Sequence, residues 1–200
     1  MSLAIRKLHR LAGTILILPM LGWIVTGLVF FIKPGYSDAY DTLVPKTYEL
    51  DQHVSFTPLS GWKEFRYVTT ILGDHIIART NDGWRHFDPV TLQERSFPSK
   101  DDLHRLLTDA FASNPERYGN ISSIAGDTVF ADTGVEIIVD WSRLSFQQRG
   151  PDTDRIDFLY RIHYLQWTNN KSLDRVLGLM GLALLGILTL LGIRLVIKSS

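Results

Sequence analysis

The chain has 200 residues, and its 21 Lys and Arg are balanced by 21 Asp and Glu, so no basic surface invites nucleic acid as a partner. It has no cysteine, which excludes disulfides, thiolate metal sites and C-x-x-C-H haem attachment; any metal or cofactor must be held by His, carboxylate, Tyr or Met. Apolar residues make up 45% but gather at the two ends around a polar middle, the distribution of a membrane protein.

The first end, "LAGTILILPMLGWIVTGLVFFI" from Leu11 to Ile32, carries no charge and as a helix is about 33 Å long, enough to cross a hydrocarbon core of about 30 Å. It is longer than a signal-peptide core and no A-x-A site follows, so an uncleaved anchor is expected. If its helix begins near Leu3, then His9, Gly13, Leu16, Met20, Trp23 and Gly27 fall along one stripe. His9 is then a candidate ligand, with Gly13 one turn away leaving room for a flat macrocycle; the competing reading is a headgroup-level histidine among arginines.

The middle reads as strands around a helix. "EFRYVTTIL" (64–72), "HIIART" (75–80) and "GWRHFDPV" (83–90) are β-branched and aromatic runs separated by "GD" and "NDG" turns, which predicts an antiparallel meander. Residues 99–115 predict a helix with a Ser99 cap, an acidic first turn, apolar Leu103, Leu106, Leu107 and Phe111, and a terminating proline. Two or three further strands follow in "ISSIAGDTVFA" and "TGVEIIVDWSRLSFQQ", an α+β order. His75, His86 and His104, with Asp74, Asp82 and Asp88 nearby, are candidates for an iron landing site, although "DGWRHFD" also reads as an ordinary solvated strand and turn.

Residues Asp152 to Trp167 predict a helix with an Asp-Thr-Asp cap region and an Asp157/Arg161 pair at i, i+4. On it His163 shares a face with Ile156, Leu159 and Tyr160, away from the charged side. An ionisable ring facing apolar surroundings is either a core histidine satisfied by a carbonyl or a ligand. The second span, "VLGLMGLALLGILTLLGI", runs from Val176 to Ile193 between Asp174/Arg175 and Arg194/Lys198.

Arg6, Lys7 and Arg10 before the first span, and Arg194 and Lys198 after the second, predict both termini in the cytoplasm; in a bacterium the middle is then periplasmic. The expected organisation is a cytoplasmic start and first span (1–35), a periplasmic α+β domain (36–151), an interfacial helix and turn (152–171), and a second span with a cytoplasmic end (172–200). Two spans enclose little, so a homodimer forming a four-helix bundle is the economical arrangement in the bilayer. Gly178, Gly181, Leu185, Thr189 and Gly192 form a stripe, and Gly22 with Thr26 a small-xxx-small pair, both suited to close helix contact. In a two-fold dimer each histidine occurs twice, as bis-imidazole haem ligation requires. No G-x-G-x-x-G follows a strand, so reducing equivalents must come from elsewhere, and no Ser or Cys nucleophile motif supports a hydrolase.

The ends "RKLHRLAGTILILPMLGWIVTGLVF" and "LYRIHYLQWTNNKSLDRVLGLMGLALLGILTLLGIRL" resemble the PepSY-associated transmembrane family, with its basic-Leu-His start and its Leu-His-aromatic stretch before a later span. Larger members look like four-helix inner-membrane reductases of ferric siderophores, with haem b between histidines; this chain has half their spans and is similar to a small iron-uptake helper. The resemblance implies haem b, one or two per dimer, held by His163 and His9. It also implies reduction of ferric iron or a ferric chelate for uptake, with electrons from quinol or a separate reductase. Arg161, Arg155 and Arg10 are the candidates to pair with propionates, against a solvated or headgroup role for each. Trp167 and Tyr164 are candidates to pack on the porphyrin, or to sit in the interfacial belt. The alternative is a non-enzymatic accessory of a ferrous iron transporter, in which His163 is merely structural.

Overall fold

The computed structural model describes residues 3–50 and 56–197. Two long apolar helices, α1 (Leu3–Ile32) and α6 (Lys171–Ile197), flank an α+β region. The chain divides into two compact units: Met1–Tyr36 with Thr153–Ser200, and Ser37–Asp152.

In the first unit both helices are long and apolar enough to cross a membrane, each with a mean hydropathy of 2.5 over its candidate span. Only 11% of the apolar window of α1 and 6% of that of α6 is buried within the chain, the reverse of a core helix in a soluble fold. Lys198 lies outside the described residues. The two helices run antiparallel: His9 faces Gly192, Gly13 faces Leu188 and Trp23 faces Gly181. The glycine stripe thus serves contact inside one chain, and Ala12 and Leu16 are buried along it.

Helix α5 (Pro151–His163) is three turns of the expected helix, but it stops short of Trp167. Leu165 adopts φ 56°, and the Gln166 N–H returns to the Arg161 carbonyl at 2.8 Å while the Leu165 N–H reaches Ile162 at 3.2 Å, a Schellman stop. A leucine holds this left-handed position because its side chain is buried against Gly181, where an added Cβ would lie 2.7 Å from Leu165 Cδ1. Packing outweighs the local conformational cost.

The second unit opens with a short helix, α2 (Tyr36–Tyr40), whose first residue belongs to the other unit. A three-stranded antiparallel sheet follows in the order β1 (Glu64–Thr70), β2 (Gly73–Thr80) and β3 (Gly83–Phe87). β3 ends before Val90 because the Asp88 carboxylate accepts the Val90 and Thr91 N–H groups, making an Asx turn. Helix α3 (Lys100–Phe111) is capped by Ser99, whose hydroxyl accepts the Asp102 N–H at 3.1 Å, and the four expected apolar residues are buried. Pro115 does not end this helix. It opens a further one, α4 (Pro115–Tyr118), where a missing N–H is harmless.

Four strands, rather than two or three, complete the unit as an antiparallel sheet: β4 (Ile121–Ala125), β5 (Thr128–Ala131), β6 (Glu136–Asp140) and β7 (Ser145–Arg149). The extra division falls at 141–144, a turn without glycine, stabilised by Asp140 accepting from Ser142 and the Arg143 N–H, with Leu144 at φ 48°. Ile77, the inner face of α3, Tyr118, Val129, Ile137, Val139 and Phe146 make one core. A smaller cluster of Ile76, Ala78 and Phe87 covers the other side of the first sheet.

Candidate functional site

Within the first unit α1, the C-terminal end of α5 and α6 meet around His163. Gly22 lets α5 approach α1 closely, since a Cβ there would lie 3.3 Å from Ile162 Cγ2. One turn on, the buried Thr26 hydroxyl lies 2.8 Å from His163 Nδ1 and 2.6 Å from the Gly22 carbonyl. A carbonyl cannot donate, so the hydroxyl proton goes to Gly22 and the threonine oxygen accepts from Nδ1–H. This fixes the tautomer: the proton sits on Nδ1 and the Nε2 lone pair is left without a partner among the described residues. The Trp23 indole N–H donates to the His163 carbonyl at 2.7 Å, so ring and backbone are both anchored to α1.

Aromatic neighbours hold the ring edge-on: Phe30 with centroids 5.2 Å apart and Tyr164 at 5.4 Å. Phe30 also stacks on Tyr160, and Tyr160 on Tyr164. Beside His163 lies a cavity of about 330 Å³, lined by Trp23, Tyr164, Leu165, Gly178, Leu182 and Leu185. Its walls are almost wholly apolar, and the His163 imidazole is the one strong Lewis base among its lining side chains, the donor that transition metals of intermediate softness accept.

Thr26→Val keeps the shape of this contact and removes the acceptor. Its expected result is a shift of the His163 imidazole from the Nδ1–H toward the Nε2–H form, read from the ring ¹⁵N chemical shifts. Unchanged shifts would show that Thr26 does not set the tautomer.

The other expected site residues are placed as follows. His9 is half-buried at the far end of α1, about 25 Å along the helix from Thr26, and its buried Nδ1 has no partner among the described residues. Gly13 packs on Leu188 at an ordinary 3.7 Å rather than on His9, and the glycine that faces His9 is Gly192, at an equally ordinary 3.8 Å from an added Cβ. Arg10 is exposed. Arg161 does not pair with Asp157; its guanidinium donates to the Asn169 side chain and, at 3.4 Å, to the Gln166 carbonyl, tying down the turn after α5. Arg155 lies against Gly35. Tyr164 and Trp167 are largely exposed.

In the second unit the histidines differ from a solvated surface cluster. His75 and His86 are fully buried, with His75 Nδ1 2.9 Å from His86 Nε2. His86 Nδ1 donates to the Trp141 carbonyl at 3.0 Å, so its Nε2 accepts from His75 Nδ1–H, and His75 Nε2 accepts from Thr70 at 2.7 Å. Burial drives both below the ordinary histidine value, His75 to about 3 and His86 to about 4, with Arg95 adding to the effect on each. Every ring nitrogen of the pair is engaged, His104 is an exposed residue of α3, and no group of three or more metal-binding side chains occurs among the described residues. The expected iron landing site therefore has no ligand cluster there.

No family model, curated protein or solved structure matches this chain. The residues that sequence reasoning missed are Thr26 and Trp23 as partners of His163. Both lie in the first span and were visible only as a small residue and as part of a stripe.

Proposed function

We propose that this chain is a bacterial inner-membrane protein that carries haem b, one or two per homodimer, and reduces ferric iron or a ferric chelate to ferrous iron for uptake. The observation that carries the reading is the His163 imidazole, anchored through Nδ1 to Thr26 and lining an apolar cavity. Histidines that ligate metals ordinarily donate their other ring N–H to an oxygen in this way, which fixes orientation and raises basicity. The resemblance of the two ends to PepSY-associated proteins points the same way, α1 and α6 have the length and apolarity to cross a bilayer, and the basic flanks of both ends favour termini inside with the α+β unit in the periplasm.

One chain offers one such ring at this level, and a second copy supplies the other. When bound between two imidazoles, haem is a one-electron carrier with no open coordination position, suited to electron transfer rather than oxygen chemistry. The residues of this chain would hold and shelter it: Thr26 orients the ring, Trp23 fixes the backbone carrying it, and Leu182 and Leu185 would keep the cavity dry. His9 is the candidate ligand for a second haem at the cytoplasmic end. Each ferric ion takes one electron from a donor outside the chain, a quinol or a reductase, and leaves as ferrous ion.

Purified, detergent-solubilised protein from haem-sufficient cells is expected to show a Soret band that shifts with dithionite and returns with ferric citrate. One observation favours a second reading: Thr26 and Phe30 hold the His163 ring in place without any ligand. On that reading the chain is a non-enzymatic accessory of a ferrous iron transporter, and the protein is colourless while still stimulating uptake.

A further inference from the structure

Beside the buried histidine pair, wholly within the second unit, lies a polar cleft of about 500 Å³ between the loop following β3, the start of α3 and Trp141. Each carboxylate that lines it is already matched. Asp88 accepts from Arg95 at 3.0 Å and from the Val90 and Thr91 N–H groups, Glu94 pairs with Arg85 at 2.9 Å, and Asp102 accepts from Ser99 and lies 3.8 Å from Arg105.

The donors are not matched. Trp141 is only 9% exposed, yet its indole Nε1–H has no acceptor among the described residues. The Arg95 Nη1 group lies 3.2 Å from His75 Nδ1, but that nitrogen carries its own proton toward His86 and cannot accept. A buried indole N–H and a guanidinium Nη1 that both lack an acceptor, in a cleft of ligand size, call for a molecule that brings oxygen acceptors.

We propose that this cleft binds a small carboxylate, with the Trp141 indole N–H and Arg95 Nη1 as its donors. A planar carboxylate suits two donors and a guanidinium already half neutralised by Asp88; a tetrahedral phosphate dianion demands more charge than the cleft supplies. The site is independent of the haem reading, since a colourless protein binds its carboxylate equally well.

The probe is acetate, a monocarboxylate, titrated into the full chain in detergent and followed by tryptophan emission and thermal unfolding. A saturable emission change and a rise in Tm are expected, with phosphate at the same concentrations giving neither. In Trp141→Phe the unliganded Tm is expected to stay level or rise, because an orphaned donor is removed, while acetate affinity falls about tenfold, the scale of one hydrogen bond to a charged group. Should that variant not fold, Arg95→Lys, which keeps a charge for Asp88 but removes Nη1, is expected to show the same loss. Absence of a saturable response to acetate, an equal response to phosphate, or parental affinity in the folded variants would overturn the assignment.

Discussion

His163→Ala is expected to abolish the Soret band of the purified protein, whereas His9→Ala retains most of it. The asymmetry follows from how the two rings are held. His163 has its Nδ1 proton on Thr26, its carbonyl on the Trp23 indole and its ring between Phe30 and Tyr164. Little conformational freedom remains to be lost when its Nε2 takes a ligand. His9 has a buried Nδ1 with no partner among the described residues, so nothing sets its tautomer. Far-ultraviolet circular dichroism controls for folding, and added imidazole is expected to restore part of the absorbance to the alanine variant, since the cavity beside residue 163 gains the volume of a ring. A full spectrum in H163A would remove His163 as the ligand.

The second large effect is acid sensitivity of the α+β unit, with an onset near pH 6.5. His75 and His86 are depressed from 6.5 to about 3 and about 4 in the folded state, chiefly by burial. Between those values and 6.5 the unfolded chain binds protons that the folded chain does not. Stability is therefore complete above pH 6.5 and is lost progressively as pH falls toward 4, by on the order of a few kcal/mol. The charged groups facing the pair do not reverse the sign: Arg95 disfavours protonation of both rings, and Asp74 and Asp88 offset it only in part at His75. Asp88 itself, held at about 2 by the Thr91 N–H and Arg95, acts in the same direction, but below pH 4. The windows separate, so denaturant midpoints measured from pH 7.5 to 4.5 isolate the histidines. The double variant H75Q/H86Q is expected to flatten that slope; an unchanged slope would assign it to other groups.

The long helices were legible because twenty or so apolar residues without charge admit few other structures, and α3 because its cap, periodicity and acidic first turn agree. The face of His163 was legible too, from its spacing to Ile156 and Tyr160. Its partner was not, because Thr26 lies 137 residues away and a threonine in an apolar run has many uses. The histidine pair was closer to reach. The two-residue turn between Thr80 and Gly83 sets Ile77 opposite His86, so His75 and His86 fall diagonally on one face of the hairpin. What the sequence hides is which face of that hairpin is buried. The stop of α5 at Leu165 was illegible for a similar reason: a left-handed leucine is explained only by the notch at Gly181, on a helix that follows later.

That notch has a consequence for assembly. Gly178, Gly181 and Gly192 are already approached from within the protomer, and Gly22 is taken by α5, so none of the four is free to admit a foreign backbone. Among the glycines of the two long helices only Gly27 and Gly186 face open space. Tight crossing of a neighbouring helix is thereby restricted to those two points; elsewhere exposed leucines such as Leu179 and Leu190 would hold any second copy at the wider spacing of bulky aliphatic surfaces.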